Sequence, residues 1–256
     1  MKRGYKKGQI MTNKNSDASE TKEVLGLIGI RSGSKGLPDK NIKQLGHRPL
    51  VGWIIKAALA SKSITRLIVS TDSQIYADIA TKCGADVPFI RPASLAQDNS
   101  PEYDYVKHSL DWLEKNESYR PEFIVRLMAT SPLQSPEEID ILINILNEDL
   151  SADSAVAIAE ARQHPMKALK LVNDADGKKK LVSYFGESGR EVTPIARQSY
   201  EPAYFRSNII ACRTDVVYRT NSLTGDKVRF HIVPQHKSID IDSELDFELA
   251  ELLLKN

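Results

Sequence analysis

What most constrains this chain is a rhythm that begins at Val24. Short runs of apolar, often β-branched residues alternate with longer stretches in which apolar residues recur at helical spacing. That alternation is the pattern of βαβ units around a mostly parallel sheet, because buried parallel strands read as continuous apolar runs and helices connect them. VLGLIGI (24–30) is expected as the first strand, LVGWIIKAALAS after Pro49 as the first helix, and RLIVST (66–71) as the second strand. A helix is expected from Asp72 to Gly84, with the glycine at its C-terminal cap, followed by a third strand, VPFI (87–90). A helix over 102–116, a strand FIVRLMA (123–129), a helix from Pro136 to Asn147 and a strand SAVAIA (154–159) continue the pattern. SNIIAC (207–212) and VRFHIV (228–233) are further strands, and Ser243 to Lys255 is a closing helix. The expected fold class is α/β.

Two segments depart from the rhythm. Residues 1–22 are polar, Lys-rich and aperiodic, the composition of a disordered basic tail, solvated or touching an anionic partner, with Met11 as an alternative start. Residues 160–206 carry turn signals at His164-Pro165, Asp174 to Lys180 and Gly186 to Gly189, and are expected to form an insertion in a single domain spanning 23–256. A chain of 256 residues is long enough for one large domain with a sizeable core.

Charge and cysteine usage exclude several function classes. Thirty-five Lys+Arg against 34 Asp+Glu give no overall electrostatic case for nucleic acid or an acidic membrane. Cys83 and Cys212 are far apart and form no C-x-x-C, so neither a disulfide framework nor a structural zinc site is expected, and a cytoplasmic setting fits. No apolar run approaches the roughly 18–20 residues of a membrane span. The basic N-terminus leads into polar residues instead of a secretory apolar segment, and the chain is expected not to be exported.

The most informative chemistry lies directly after the first strand, in RSGSKGLPDKN (31–41). Ligands of open α/β sheets collect beyond the carboxyl ends of the strands, and a loop there with Gly33, Gly36, Arg31, Lys35 and Lys40 has the composition to wrap phosphate. The same composition also makes a solvated charged turn. It matches neither the Walker A spacing nor G-x-G-x-x-G. A second constellation is IDIDSELD (239–246): alternation puts Asp240 and Asp242 on one face and Ile239 and Ile241 on the other, so that two carboxylates converge on a site for a hard cation such as Mg²⁺. Ser243-x-x-Asp246 reads as a capping box for the last helix. A cation-lined loop with paired carboxylates points to phosphoryl or nucleotidyl transfer, and is also compatible with a nucleotide-binding module that does no chemistry.

Other chemistries fail on the residues. The five histidines (His47, His108, His164, His231, His236) form no H-E-x-x-H, no G-x-S-x-G elbow exists, and Cys212 in an apolar strand reads as a packed residue.

On RSGSKGLPDKN (31–41), IVSTD (68–72), Arg91-Pro92 before Leu95-Ala96-x-Asp98, TSPL (130–133), His164-Pro165-x-Lys167, Arg197-Gln198, Phe205-Arg206-x-Asn208 and SIDIDSELD (238–246), the chain resembles the acylneuraminate cytidylyltransferases, or CMP-sialic acid synthetases. The resemblance implies a Rossmann-like, GT-A-type fold, usually homodimeric, with the insertion pairing between subunits. It implies a reaction of CTP with a free nonulosonic acid to give a CMP-sugar and pyrophosphate, with Mg²⁺ held by Asp240 and Asp242. By the same resemblance Arg31, Ser34 and Lys35 hold the triphosphate, and Lys40 and Asn41 contact phosphate and ribose. Arg91 and the backbone around Ser100 lie near the cytosine. Lys167, Arg197, Arg206 and Asn208 face the sugar, the first two from the insertion. Arg31, Lys35 and Asp242 are the residues expected to carry catalysis.

The chain departs from the family pattern on the acceptor side. Met128-Ala129 precedes Thr130 where the family usually has Gln, Gln134 follows T-S-P-L where Arg is common, and Ile209 to Cys212 replace a Gly and a Tyr after Asn208. A hydrogen-bonding site that loses a partner changes which hydroxyl pattern it accepts, so a relative of sialic acid such as legionaminic or pseudaminic acid is expected as well as N-acetylneuraminate. A sugar-1-phosphate nucleotidyltransferase and a non-catalytic CTP- or CMP-sugar-binding protein are the alternatives. The first normally carries a G-G-x-G-x-R-L loop that is absent here.

Overall fold

The computed structural model describes residues 22–33, 36–185 and 199–255. Its centre is a six-stranded sheet. β1 (Val24–Gly29) lies between β4 (Arg66–Ser70) and β5 (Phe123–Leu127), parallel to both. Beyond β5 the sheet continues through β9 (Tyr204–Arg213), β6 (Ser154–Glu160) and β10 (Val228–Ile232). β9 runs antiparallel to β5 and β6, and β10 is parallel to β6. The sheet is thus mostly parallel with one reversed strand, an order that local sequence cannot reveal.

Strand alternation sorts the core into two layers. Ile28, Val125, Leu127 and Ala157 face α1 (Leu50–Ala60), α2 (Gln74–Lys82) and α4 (Pro136–Glu148), with Ile54, Ile55, Ala80, Ile139 and Leu142 packed against them. Leu25, Leu27, Ile124 and Val156 face α3 (Glu102–Glu117) and α5 (Thr214–Thr220), against Val106, Leu110, Leu113 and Val217. Each such side chain, fully buried, stabilises the fold by roughly 1.5–3 kcal/mol relative to exposure. Cys212 belongs to the second layer, and burial pushes its thiol up to about 12, which suits a packed residue and not a nucleophile. The last helix, α6 (Glu244–Leu254), packs Phe247 and Ala250 against Ile241, Leu45 and Leu50.

The helix ends follow the sequence signals. Ser135 and Ser243 make capping boxes with Glu138 and Asp246, Pro136 opens α4, and Gly84 follows α2 with φ of 101°. One expected strand does not form: VPFI (87–90) contributes only the isolated bridge of Ile90 to Thr71, after that of the preceding Asp86 to Ile68. Pro88 has no N–H to donate, so a continuous ladder is interrupted there. Sequence reading also passed over the small hairpin of β2 (Gln44–Leu45) and β3 (Arg48–Pro49), and α5, which is too short to show a helical period. Within the expected insertion, β7 (Leu169–Asn173) and β8 (Lys179–Ser183) form an antiparallel hairpin, and β9 starts at Tyr204, three residues before the expected strand. The expected tail, Ser34, Lys35 and Arg197 lie outside the described residues, apart from Lys22 at the end of the tail.

Candidate active site

β1, β4 and β5 are mutually parallel, so their carboxyl ends open at one edge of the sheet, and a cleft of about 380 Å³ lies there. The chain leaving β1 forms one wall. Its Ser32 donates from backbone N and Oγ to Asp72, at 2.9 and 2.8 Å, just past the end of β4. Burial raises the Asp72 carboxyl, but these hydrogen bonds and its own amide outweigh that and hold it below the usual carboxylate range, so it is an ionised anchor for the loop. The loop then crosses to the segment before α6: a Cβ on Gly36 would lie 2.9 Å from the carbonyl oxygen of Asp242, so only glycine fits this approach.

Three predicted cations meet in this cleft. Arg31 pairs with Asp98 at 2.7 Å, and Asn41 donates to the Arg31 carbonyl at 3.3 Å. Lys40 reaches the Asp242 carboxylate at 2.8 Å and the Ile241 carbonyl at 2.6 Å. Arg91 is 4% exposed, donates from Nη2 to the Ile30 carbonyl at 3.2 Å, and has its guanidinium 5.3 Å from the Tyr105 ring centroid. Burial pulls its pKa down from the usual guanidinium value, and its Nε finds no hydrogen-bond partner. A buried guanidinium left partly unsatisfied favours an anion or a polar ring at that end of the cleft. Ser100 lines the same cleft, its Oγ held by the Ser94 carbonyl at 3.3 Å.

The paired carboxylates are placed as the alternation predicted, although the segment is chain outside the sheet and is tied to the turn after β5 by Ile241 N–H donating to the Thr130 carbonyl at 2.9 Å. Ile239 and Ile241 are buried, while Asp240 and Asp242 line the cleft. Asp240 Oδ1 is buried with no hydrogen-bond partner, a state that a cation would relieve. Among the described residues no group of three or more His, Cys, Asp or Glu side chains gathers around one point. The donor set is two carboxylates in a cleft open to solvent and substrate. That fits a hard divalent ion which shares its coordination with phosphate oxygens and water.

The residues expected on the acceptor side are scattered. Asn208, at the start of the buried part of β9, donates from Nδ2 to Ser131 Oγ at 2.8 Å. Arg206 is exposed in a separate groove beside Glu160, Arg162 and Ser238. Lys167 is exposed on the 3₁₀ turn Pro165–Lys167. Neither lines the cleft, which on this side is bounded by Met128, Ala129 and Thr130. Sequence reading missed Asp72, Asp98, Glu102 and Tyr105 as parts of the site, although Asp72 and Asp98 stand inside the motifs IVSTD and Leu95-Ala96-x-Asp98.

The chain is 30% identical over 236 residues to the post-translational flagellin modification protein B of Campylobacter coli, covering 91% of this chain and 95% of that protein. It is 29% identical to the CMP-N,N'-diacetyllegionaminic acid synthase of Legionella pneumophila, with 91% and 96% covered. It is also 29% identical to the N-acylneuraminate cytidylyltransferase of Escherichia coli, of which it spans about half, 51%, while 89% of this chain is matched. In fold it is similar to a CMP-2-keto-3-deoxy-manno-octonic acid synthetase solved with CTP, at a TM-score of 0.66 and 15% identity, covering 91% of this chain and 98% of that one. The family model described as "Cytidylyltransferase" matches residues 25–253, from the first residues of β1 nearly to the end of α6, and so takes in both the loop after β1 and the Asp240/Asp242 pair. The chain belongs to the cytidylyltransferase family of nucleotidyl-transferring enzymes.

Proposed function

We propose that the protein transfers CMP from CTP to the anomeric hydroxyl of a free nonulosonic acid, releasing pyrophosphate, with Mg²⁺ as its metal and CTP and the acid as its substrates. The observation that carries this reading is the convergence of Arg31, Lys40 and Arg91 with Asp240 and Asp242 in one cleft at the strand ends. Both substrates are anions, and the in-line attack on the α-phosphorus builds charge on phosphate oxygens, so the work is positioning and neutralisation. Arg31 and Lys40, with Ser34 and Lys35 of the same loop, hold the triphosphate. Asn41 is placed for the ribose, and Arg91 and the Ser100 segment for the cytosine. Asp240 and Asp242 would hold Mg²⁺, which supplies charge neutralisation for the phosphates when bound.

On the acceptor side Asn208 contributes from β9. Lys167, Arg197 and Arg206 act in a site completed by a second copy of the chain. The β7–β8 hairpin supports a homodimer: Leu169, Leu171 and Leu181 are exposed together, with Leu171 opposite Leu181 in register. The acceptor reading draws on the relatives named for legionaminic and sialic acids, and on Met128 where a polar residue is usual. The chain then works in the cytoplasm, as one domain with an inserted dimerisation segment. No described helix is long and apolar enough to cross a membrane.

The test is pyrophosphate release from CTP and Mg²⁺ with N-acetylneuraminate, legionaminate, pseudaminate, Kdo and a sugar 1-phosphate in parallel. Release with a nonulosonate is the expected result. Release only with the sugar 1-phosphate, or CTP binding without release from any acid, overturns it.

A further inference from the structure

Arg126 is the charged residue in the otherwise apolar run FIVRLMA, and it lies in β5, in the interior of the sheet. Its side chain is 6% exposed. It stands two residues before Met128 of the cleft and faces α3: Nη2 approaches Glu102 at 3.4 Å, Nη1 donates to the Asn208 carbonyl at 3.1 Å, and Nε has no partner. Glu102, its carboxylate neighbour, is 45% exposed and lines the cleft. A buried guanidinium with one loose, half-solvated ionic partner and one unsatisfied N–H is a poor device for stability, because desolvation offsets most of what the pairing contributes.

Its contacts instead join two walls. Through Asn208 it fixes the strand whose side chain reaches Ser131, next to Thr130 of the cleft, and Thr130 Oγ1 is itself buried without a partner. Through Glu102 it fixes the first turn of α3, the helix that carries the Tyr105 ring. That ring sits so close to β1 that a Cβ on Gly29 would lie 2.5 Å from it. Arg126 thus lies two residues before the Met128–Thr130 edge of the cleft, to which Asn208 is tied through Ser131, and adds positive potential there.

We propose that Arg126 is a positioning residue for the acceptor. It holds Asn208 and the Ser131–Thr130 turn in register and favours an anionic acceptor on that side, while its tie to the nucleotide side is the indirect one through Glu102, α3 and the Tyr105 ring that faces Arg91. The inference rests on the acceptor reading above.

The test separates the two substrates. Arg126→Met, Arg126→Lys and Glu102→Gln are compared with the unaltered protein in steady-state pyrophosphate release, varying CTP and the preferred acid independently, with circular dichroism and melting temperature as controls on folding. Arg126→Met should raise KM for the acid about tenfold or more and leave that for CTP within about threefold. Arg126→Lys should restore part of the loss, and Glu102→Gln should move the acid KM the same way by less. Equal changes for both substrates, as a general distortion would give, or no change for the acid, overturn the proposal. If Arg126→Met does not fold, Glu102→Gln decides, and an unchanged acid KM counts against it. An unaltered protein silent with every acid overturns the acceptor reading, and this inference falls with it. An active one with indifferent variants overturns this inference alone.

Discussion

The proposed nucleotide side and the proposed acceptor side of this molecule are built differently. On the nucleotide side, Arg31, Lys40, Asn41 and Arg91 are each tied to a neighbour within the same chain, and their carriers are locked together by the Ser32–Asp72 and Gly36–Asp242 contacts. On the acceptor side, Lys167 and Arg206 stand in solvent away from the cleft, and the hairpin beside them leaves leucines exposed. On that proposal the first arrangement is complete within one chain, and its described residues are preorganised. On the same proposal the second, with its exposed leucines and its cations away from the cleft, is a half-site. Binding energy spent on a preorganised site goes into holding charge where the transition state needs it, whereas a half-site has to be assembled first.

The largest effect should come from the heart of the complete side. Asp242→Ala removes a carboxylate that faces the cleft and is 77% exposed, so folding should be intact and the circular dichroism unchanged. Turnover should fall by at least about a hundredfold, the scale of losing one charge-organising group in a transition state. A fully active, still metal-dependent variant would remove the pair from the mechanism and erase the contrast between the two sides.

Much of the complete side was legible in the sequence because its signals are local. The Asp240/Asp242 alternation reads directly, since Ile239 and Ile241 have only the core to go to, and the loop after β1 announces itself by glycines and cations beside an apolar run. Asp72 is less visible: its partner Ser32 is 40 residues away, and nothing within IVSTD says which loop it will anchor. Arg126 was read only as part of a strand, because local pattern registers a run as buried without registering what a buried guanidinium will touch on α3 and β9. The reversal of β9 and the failure of VPFI to join the sheet have the same origin, strand order and ladder donors being properties of the assembled sheet. The residues proposed for the acceptor are harder still: if two copies complete their site as proposed, spacing in one chain says nothing about that geometry.

A smaller effect is expected at the incomplete side. Leu171 is 62% exposed and lies opposite Leu181, so Leu171→Glu should leave the single chain folded. It places a charge where the second copy would pack and should shift sedimentation from dimer to monomer. Losing such an anchor costs an interface about 2 kcal/mol or more. Acid turnover should drop with it, and CTP binding should stay. A monomeric unaltered protein with full activity would mean that Lys167 and Arg197 take no part in the site, and the half-site interpretation would end there.

The smallest effect sharpens the complete side. Arg31 has its guanidinium 2.7 Å from Asp98, and both side chains are partly exposed, at 35% and 43%. A triphosphate that takes Arg31 has to displace that carboxylate, so Asp98 acts as a competitor that keeps the cation oriented while the cleft holds no nucleotide. An exposed pair of this kind is worth about 0.2–1 kcal/mol. Removing the charge while keeping the shape, as in Asp98→Asn, should therefore tighten CTP binding by a few-fold at most, and the gain should shrink as salt screens the pair. Calorimetric titration of CTP into both proteins at low and at physiological salt reads this without any acceptor. Weaker binding to Asp98→Asn would show that the carboxylate supports the loop more than it competes with phosphate, and the preorganisation of the nucleotide side would then rest on the ion pair surviving in the complex.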